Sequence, residues 1–312
     1  MFHDGRLLSS VSPPGRATFG AVVLLTALLS STVPGAQARD AAPDCKADGQ
    51  VATIAELPEA SGIAASRRVP GRLWALNDSG DPVLVALDTR GAVTGRLRLS
   101  GAGVEDWEAL AVGPCAGASC LYVADIGDND AGRKRVTIYR LPEPAAAETS
   151  AAVTDVFHAT YPDGPHDAEA LLVTPDGNLL IVTKGDTGAI ALYRFPRELR
   201  PGATHQLERV GKSRGRDKPG AKQRITDGSV SADGRWVVLR TGDQLTFHRA
   251  AELLAGDWTE SRTIDLTSVG EAQGEGVAFG ADGTIYLAGE GGGKKRPGTF
   301  TRLTCASALP SS

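Results

Sequence analysis

Five residues stand at the same point of a repeated phrase: Ser61, Glu108, Glu169, Thr226 and Glu275, spaced 47, 61, 57 and 49 residues apart. Together they offer three carboxylates and two hydroxyls, and only oxygen donors. If the fold brings them to one ring, the carboxylates repel one another, and an unpaired buried carboxylate is costly. Something positive must compensate. An all-oxygen set suits a hard cation, and Ca²⁺, which takes about 6–8 oxygens in flexible geometry, suits it better than Mg²⁺ with its tighter octahedron. No Cys or His belongs to the set, which argues against zinc. The expected metal ligands are therefore Ser61, Glu108, Glu169, Thr226 and Glu275, around a Ca²⁺ ion. The alternative is that these groups only cap strands or hold water in a solvated channel.

The phrase that carries them is a strand, a tight turn and a returning strand. The fullest copy is DAEALLVTPDGNLLIVTKGD, from Asp167. The others are SGIAASRRVPGRLWALNDSG from Ser61, EALAVGPCAGASCLYVADIGDN from Glu108, TDGSVSADGRWVVLRTGD from Thr226 and EGVAFGADGTIYLAGEG from Glu275. Third strands are expected at 83–87, 136–141, 190–195, 244–249 and 299–303. Fourth strands are expected at 93–99, 153–161, 205–211 and 262–266. Residues 144–152 (PAAAETSAA) read as an exposed low-complexity connection, and 249–254 as a single helical turn. Repetition at roughly 40–50 residues with four strands per unit is the mark of a propeller. The fold class is thus all-β: a five-bladed β-propeller over residues 49–306. The last unit lacks a fourth strand, and residues 50–57 (QVATIAEL) supply it, so the N-terminal strand closes the ring and removes two open sheet edges. A six-bladed propeller is the alternative, and it needs a degenerate blade in 201–226, which that composition opposes.

Four cysteines, Cys45, Cys115, Cys120 and Cys305, allow three pairings. Ring closure makes neighbours of Cys45 and Cys305, and the first turn of blade two lies between Cys115 and Cys120. Those are the expected disulfides.

The first strand of each blade begins on the face where the second strand ends. That face gathers Asp106, Trp107, His166 and Asp167 from the entering loops, with Asp78, Asn129, Lys184, Arg240, Asp243 and Glu290 among the strand ends. It is the default site for a ligand or partner. A basic insertion at 210–224 overhangs it, with Lys212, Arg214, Arg216, Lys218, Lys222 and Arg224 against Asp217. The insertion reads as a solvated loop or as a flap for an anion. If the face is catalytic, the candidates are His166 or Asp167 as general base and Lys184 with Arg240 as anion holders.

Ser61-Gly62-Ile63, Asp106-Trp107-Glu108-Ala109-Leu110, Glu169-Ala170-Leu171 and Gly274-Glu275-Gly276-Val277-Ala278 resemble the SdiA-regulated family of five-bladed propellers. The Ser/Glu/Glu/hydroxyl/Glu order is also similar, more distantly, to the calcium-activated nucleotidase (apyrase) propellers, with Thr226 where those families have Ser. The resemblance implies a central Ca²⁺. The nucleotide-contacting motifs of apyrases are not recognisable in this chain.

The formal net charge of −4 and pI near 5.8 argue against a nucleic-acid binder. Residues 1–38 read as an export signal: a weakly basic start, an apolar stretch at 19–29 (FGAVVLLTALL), and Ala36-Gln37-Ala38 before Arg39. The stretch is short of the roughly 20 residues of a membrane span, so no stable anchor is expected. The chain is expected to be secreted, cleaved after Ala38 and monomeric, with a polar lead-in at 39–48 and a short tail at 307–312. Two functions follow: an exported calcium-binding propeller that takes a ligand or partner at its channel mouth, or a calcium-dependent hydrolase of phosphate esters or nucleotides.

Overall fold

The computed structural model describes residues 41–49, 51–186, 188–212, 219–293 and 295–306. The expected signal segment, the start of the lead-in, the tail, and Arg214, Arg216, Asp217 and Lys218 of the basic insertion lie outside the described residues.

The chain enters through β1 (Asp44–Ala47) and β2 (Ala52–Ile54). Blade one holds β3 (Ala60–Ala65), β4 (Arg72–Asn77), β5 (Val83–Asp88) and β6 (Val93–Ser100). Blade two holds β7 (Trp107–Cys115), β8 (Ala118–Asp125), β9 (Val136–Pro142) and, after a short β10 (Ser150–Ala152), β11 (Asp155–Thr160). Blade three holds β12 (Ala168–Val173), β13 (Leu179–Thr183), β14 (Ala191–Arg194) and, after β15 (Thr204–Gln206), β16 (Glu208–Lys212). Blade four holds β17 (Ile225–Val230), β18 (Trp236–Thr241), β19 (Gln244–Arg249) and β20 (Glu260–Asp265), with the one-turn α1 (Ala250–Leu253) before its last strand. Blade five holds β21 (Gln273–Phe279), β22 (Ile285–Glu290) and β23 (Gly298–Ala306). The innermost strands β3, β7, β12, β17 and β21 each pack on the next, and β21 returns to β3. The architecture is a five-bladed β-propeller.

Alternation on the strands explains how neighbouring blades share a core. In β8, Leu121 and Val123 face blade one and pack with Trp74, Leu84 and Leu110. Cys120, Tyr122 and Ala124 face blade three and pack with Leu171, Ile181 and Tyr193. A strand segment buried on both faces is apolar on both, and residues 120–124 of β8 are. Near the axis the packing is backbone on backbone. A Cβ at Gly62 would lie 2.6 Å from the Leu110 amide nitrogen, and one at Gly276 would lie 2.9 Å from the Ser61 carbonyl oxygen. Glycine is needed there for close approach rather than for an unusual φ.

Closure follows the expected plan with one difference. Both β1 and β2 pair antiparallel with β23, at Cys45↔Cys305 and Ala52↔Phe300. The closing strand is therefore in two pieces and starts at Asp44, inside the expected polar lead-in. Its pattern is polar because only Cys45 of β1 is buried. Gly49, at φ 94°, turns the chain between the two pieces.

The fourth strands differ more. The span 153–161 holds the continuous β11, with β10 just before it, whereas 205–211 is divided between β15 and β16. Before joining its own blade, the chain lays β10 parallel on β6 of blade one, and β15 parallel on β11 of blade two. The connection read as exposed thus ends in a strand, because Ala151 and Val153 are drawn onto the core between blades one and two. These additions cover the outer edges of blades one and two, which would otherwise present unpaired backbone.

Both expected disulfides form, Cys45–Cys305 across a separation of 260 residues and Cys115–Cys120 across 5. The first ties the two ends of the ring. Loop-entropy reasoning puts its contribution at about 5–6 kcal/mol. Replacing Cys45 and Cys305 together with Ser is expected to lower the unfolding free energy by that amount in urea melts. Loss of Cys115–Cys120 is expected to cost less, since its loop is short.

Candidate metal centre

Each of the five ring residues sits in a β-bulge at the start of its inner strand. In blade two the pairs run Trp107↔Asp125 and then Ala109↔Ala124, so Glu108 is the extra residue. Glu169 is extra between Ala168↔Thr183 and Ala170↔Val182, and Thr226 between Ile225↔Thr241 and Asp227↔Arg240. Blade one slips between Ala60↔Asn77 and Ile63↔Ala75, and blade five between Gly274↔Gly289 and Val277↔Leu287, at Ser61-Gly62 and Glu275-Gly276. A bulge re-aims the side chain it carries. Five equivalent bulges bring all five ring residues to the wall of one cavity of about 730 Å³.

The hydroxyls join neighbouring blades. Ser61 Oγ lies 2.8 Å from both the Glu108 carbonyl oxygen and Glu108 Oε2. Thr226 Oγ1 donates to the Glu275 carbonyl at 2.9 Å. In both places a hydroxyl of one blade holds the backbone of the next blade's glutamate. Their oxygen lone pairs remain available to a cation.

The carboxylates converge. Oxygens of Glu108, Asp167 and Glu169 lie within 4.8 Å of one another, and all three residues are buried. Lys184, at the end of β13, places Nζ against Glu169 Oε1 and 3.2 Å from Asp167 Oδ2. Asp167 also accepts the Asp128 amide at 2.7 Å. Part of the positive charge that the ring demands is thus supplied by the chain itself. Glu275 has no such partner: its carboxylate lines the same cavity and makes no hydrogen bond or ion pair among the described residues.

The electrostatics follow. Burial, then the Glu169 and Asp106 charges, push Glu108 well above the usual carboxylate range. Burial raises Glu169 to about 7, with Lys184 opposing and Asp167 adding to the shift. Burial, Glu169 and Glu290 raise Glu275 to about 8. Lys184 is held charged: burial opposes the charge, but Glu169 and Asp167 outweigh it. The cavity lining carries eight carboxylates, including Asp78, Asp106, Asp243, Glu271 and Glu290, against Lys184, Lys222 and Arg224. A free anion is disfavoured at such a mouth unless a cation comes with it.

Of the four catalytic candidates, Lys184 alone lines the cavity, and Asp167 lies directly behind it. His166 is turned outward. Its Nε2 lies 3.0 Å from Asp163 Oδ1 and 2.9 Å from Tyr193 Oη, and its ring meets Tyr161 edge-on. Tyr193 belongs to the third strand of its blade, which explains why His166 leaves the axis. Arg240 is fully buried. Its Nη1 donates to the carbonyls of Gly276 at 2.7 Å and Ala288 at 3.0 Å, and Nη2 pairs with Glu271. It stitches blade four to blade five, and its one unpartnered nitrogen, Nε, is buried out of reach of an anion in the cavity. Trp107, also expected at the mouth, is buried between blades one and two, with Nε1 donating to Gly103 at 2.8 Å. From the basic insertion, Lys222 and Arg224 reach the lining, and Lys222 Nζ lies 3.6 Å from Asp243. Sequence reasoning missed Glu271. Its signal was its place in the loop entering blade five, equivalent to that of Asp106 and Asp167.

No family model matches the sequence, and no curated protein matches it. Among solved structures, the PQQ-bound aldose sugar dehydrogenase of Streptomyces coelicolor is similar at 13% identity and a TM-score of 0.48, over 85% of this chain and 99% of that one. A putative oxidoreductase (glucose dehydrogenase) of Thermus thermophilus is similar at 12% identity and 0.44, over 84% and 100%. Hydrazine synthase of Kuenenia stuttgartiensis is similar at 18% identity and 0.41, over 81% and 64%. At these values the likenesses carry no argument about the activity of this chain. The resemblance to the SdiA-regulated propellers rests on the repeat motifs alone.

A carboxyl group whose folded pKa is raised stabilises the fold fully below its unfolded value, and that stability is lost as pH rises through the folded value. For Glu169 and Glu275 the window runs from about pH 4.5 to about pH 8. In chelator, the melting temperature is expected to fall across that window. Glu275→Gln, which resembles the protonated form, is expected to flatten the fall and to stabilise the protein at pH 8 by about 1–3 kcal/mol. Melts at fixed ionic strength from pH 5 to 8.5 provide the check.

Proposed function

We propose that this chain is an exported, calcium-binding β-propeller that takes a ligand or partner at its channel mouth. The observation that carries the reading is Glu275: a carboxylate on the wall of a deep acidic cavity, without a partner among the described residues, beside Glu169 and Glu290. Such a group calls for a cation. The donor chemistry fits a hard one. Ser61, Glu108, Glu169, Thr226 and Glu275 supply oxygen only, from five blades, and the lining holds no thiol or imidazole. The bound ion would neutralise the ring and present a positive point at the mouth for an oxygen-bearing ligand. Lys184 competes with it for Glu169. The export reading rests on the signal-like segment at 1–38 and is compatible with two disulfides. Among the described residues no helix is long and apolar enough to cross a membrane.

Hydrolysis of phosphate esters is the weaker reading, because His166 and Arg240 are engaged away from the cavity. A nucleotide and phosphate-ester panel is expected to yield no phosphate with Ca²⁺ present. Calcium-dependent release that disappears in Lys184→Ala would restore it.

The direct test is a thermal melt in chelator, with Ca²⁺ or Mg²⁺ then titrated back, alongside metal analysis of the purified protein. Ca²⁺ is expected to raise the melting temperature by about 5–10 °C, and Mg²⁺ by much less. Glu108→Gln is expected to abolish the rise. Lys184→Gln is expected to lower stability in chelator while tightening Ca²⁺ binding, since it removes the competing ammonium. No shift with either ion, and no metal in the sample, would refute the reading.

A further inference from the structure

The inner strands end in a second cavity, which has no carboxylate in its lining. It measures about 310 Å³ and draws residues from all five inner strands or the segments that follow them. Leu110 and Val112 of blade two and Leu171 and Val173 of blade three line it at the edges of the cores between blades. Val230 and Phe279 stand four residues after Thr226 and Glu275. The wall thus has an apolar part, alongside Ser66, Ser229 and Arg67. The two serine hydroxyls on it are occupied: Ser66 Oγ bonds Glu143 Oε1, and Ser229 Oγ accepts the Phe279 amide at 3.2 Å.

Arg67 is the one charged residue on that wall. Its guanidinium makes no hydrogen bond or ion pair among the described residues. Its backbone, by contrast, is fixed. Glu143, fully buried, accepts the amides of Arg67 at 3.2 Å and Arg68 at 3.1 Å, Trp74 Nε1 at 3.3 Å and Ser119 Oγ at 2.7 Å. The segment carrying Arg67 is thus clamped between blades one and two. Partial loss of water around the guanidinium lowers its pKa, while the Glu143 charge acts the other way. Arg67 is an exposed residue at the rim of this partly apolar cavity, and the pairing of its charge with Leu, Val and Phe side chains is complementary to a molecule with an anionic head and an apolar body.

We propose that this second cavity binds a small amphiphilic carboxylate, with its apolar body between the inner strands and its carboxylate on Arg67. The site is independent of the acidic mouth, so chelator should leave it unchanged. Isothermal titration of the purified protein with octanoate, octanol and acetate tests it. Octanoate is expected to bind at least tenfold more tightly than octanol, and acetate not measurably. Arg67→Gln should weaken octanoate at least tenfold, leave octanol unchanged and leave the melting temperature unchanged, which excludes misfolding. Ala111→Phe, which adds bulk to the cavity wall, should remove octanoate binding. Equal affinity for octanoate and octanol, equal affinity of Arg67→Gln and the parent, or no heat with octanoate would each overturn the proposal.

Discussion

Three glutamates are held around one axis by backbone that has no room to withdraw. The constraint begins with the glycines. At Gly62 and Gly276 neighbouring inner strands approach so closely that a single methyl group would meet main-chain atoms. With the strands fixed at that distance, the five bulges turn their side chains into a shared volume. The hydroxyls of Ser61 and Thr226 then lock the backbone of the next blade's glutamate. Repulsion among the carboxylates is a consequence of this geometry, and it can be relieved only by protons, by Lys184 or by a cation. The raised pKa values of Glu108, Glu169 and Glu275 express that unmet demand.

The ring was legible in the sequence because it depends on repetition. A side chain at the same place in five similar phrases must occupy the same place in five similar blades. The disulfides were legible for the same reason, since closure fixes which ends meet. The pairing of individual charges was not. Lys184 and Arg240 occupy the same region of successive second strands. Lys184 extends into the cavity, whereas Arg240 runs sideways into the space left by Gly274, where a Cβ would lie 2.2 Å from its guanidinium. That difference is set by local packing, which the repeat pattern does not encode. His166 is similar: Tyr193, Tyr161 and Asp163 draw it outward, and these come from other parts of blade three and the loop before it. The crossing strands β10 and β15 were hidden because each is three residues long and one lies in an alanine-rich stretch.

The chemistry of the axis changes along its length. At one end the inner strands begin with oxygen donors, and at the other they finish with Leu, Val and Phe. The five bulges aim the first set inward, and the second set lines the axis at the edges of the cores between blades. A propeller built this way has two separate environments on one axis, each lined by all five blades. Charge at the first is mostly negative, with Lys184 as the internal counterweight. The second has one guanidinium, carried on a segment that Glu143 fastens to two blades.

The short parallel strands have a mechanical meaning. Blade two lends β10 to blade one, and blade three lends β15 to blade two, so these three blades are laced to one another through their sheets as well as their cores. Blade four neither lends nor receives such a strand among the described residues. Its links to blade five are side-chain links, Arg240 to Gly276, Ala288 and Glu271, with Asp227 accepting the Val277 amide at 2.8 Å. Blades one to three are therefore laced through shared sheets, whereas blade four meets its neighbours through core packing and individual hydrogen bonds. The two seams of blade four are thus those without a shared strand among the described residues, and the one with blade five carries Thr226, Glu271 and Glu275.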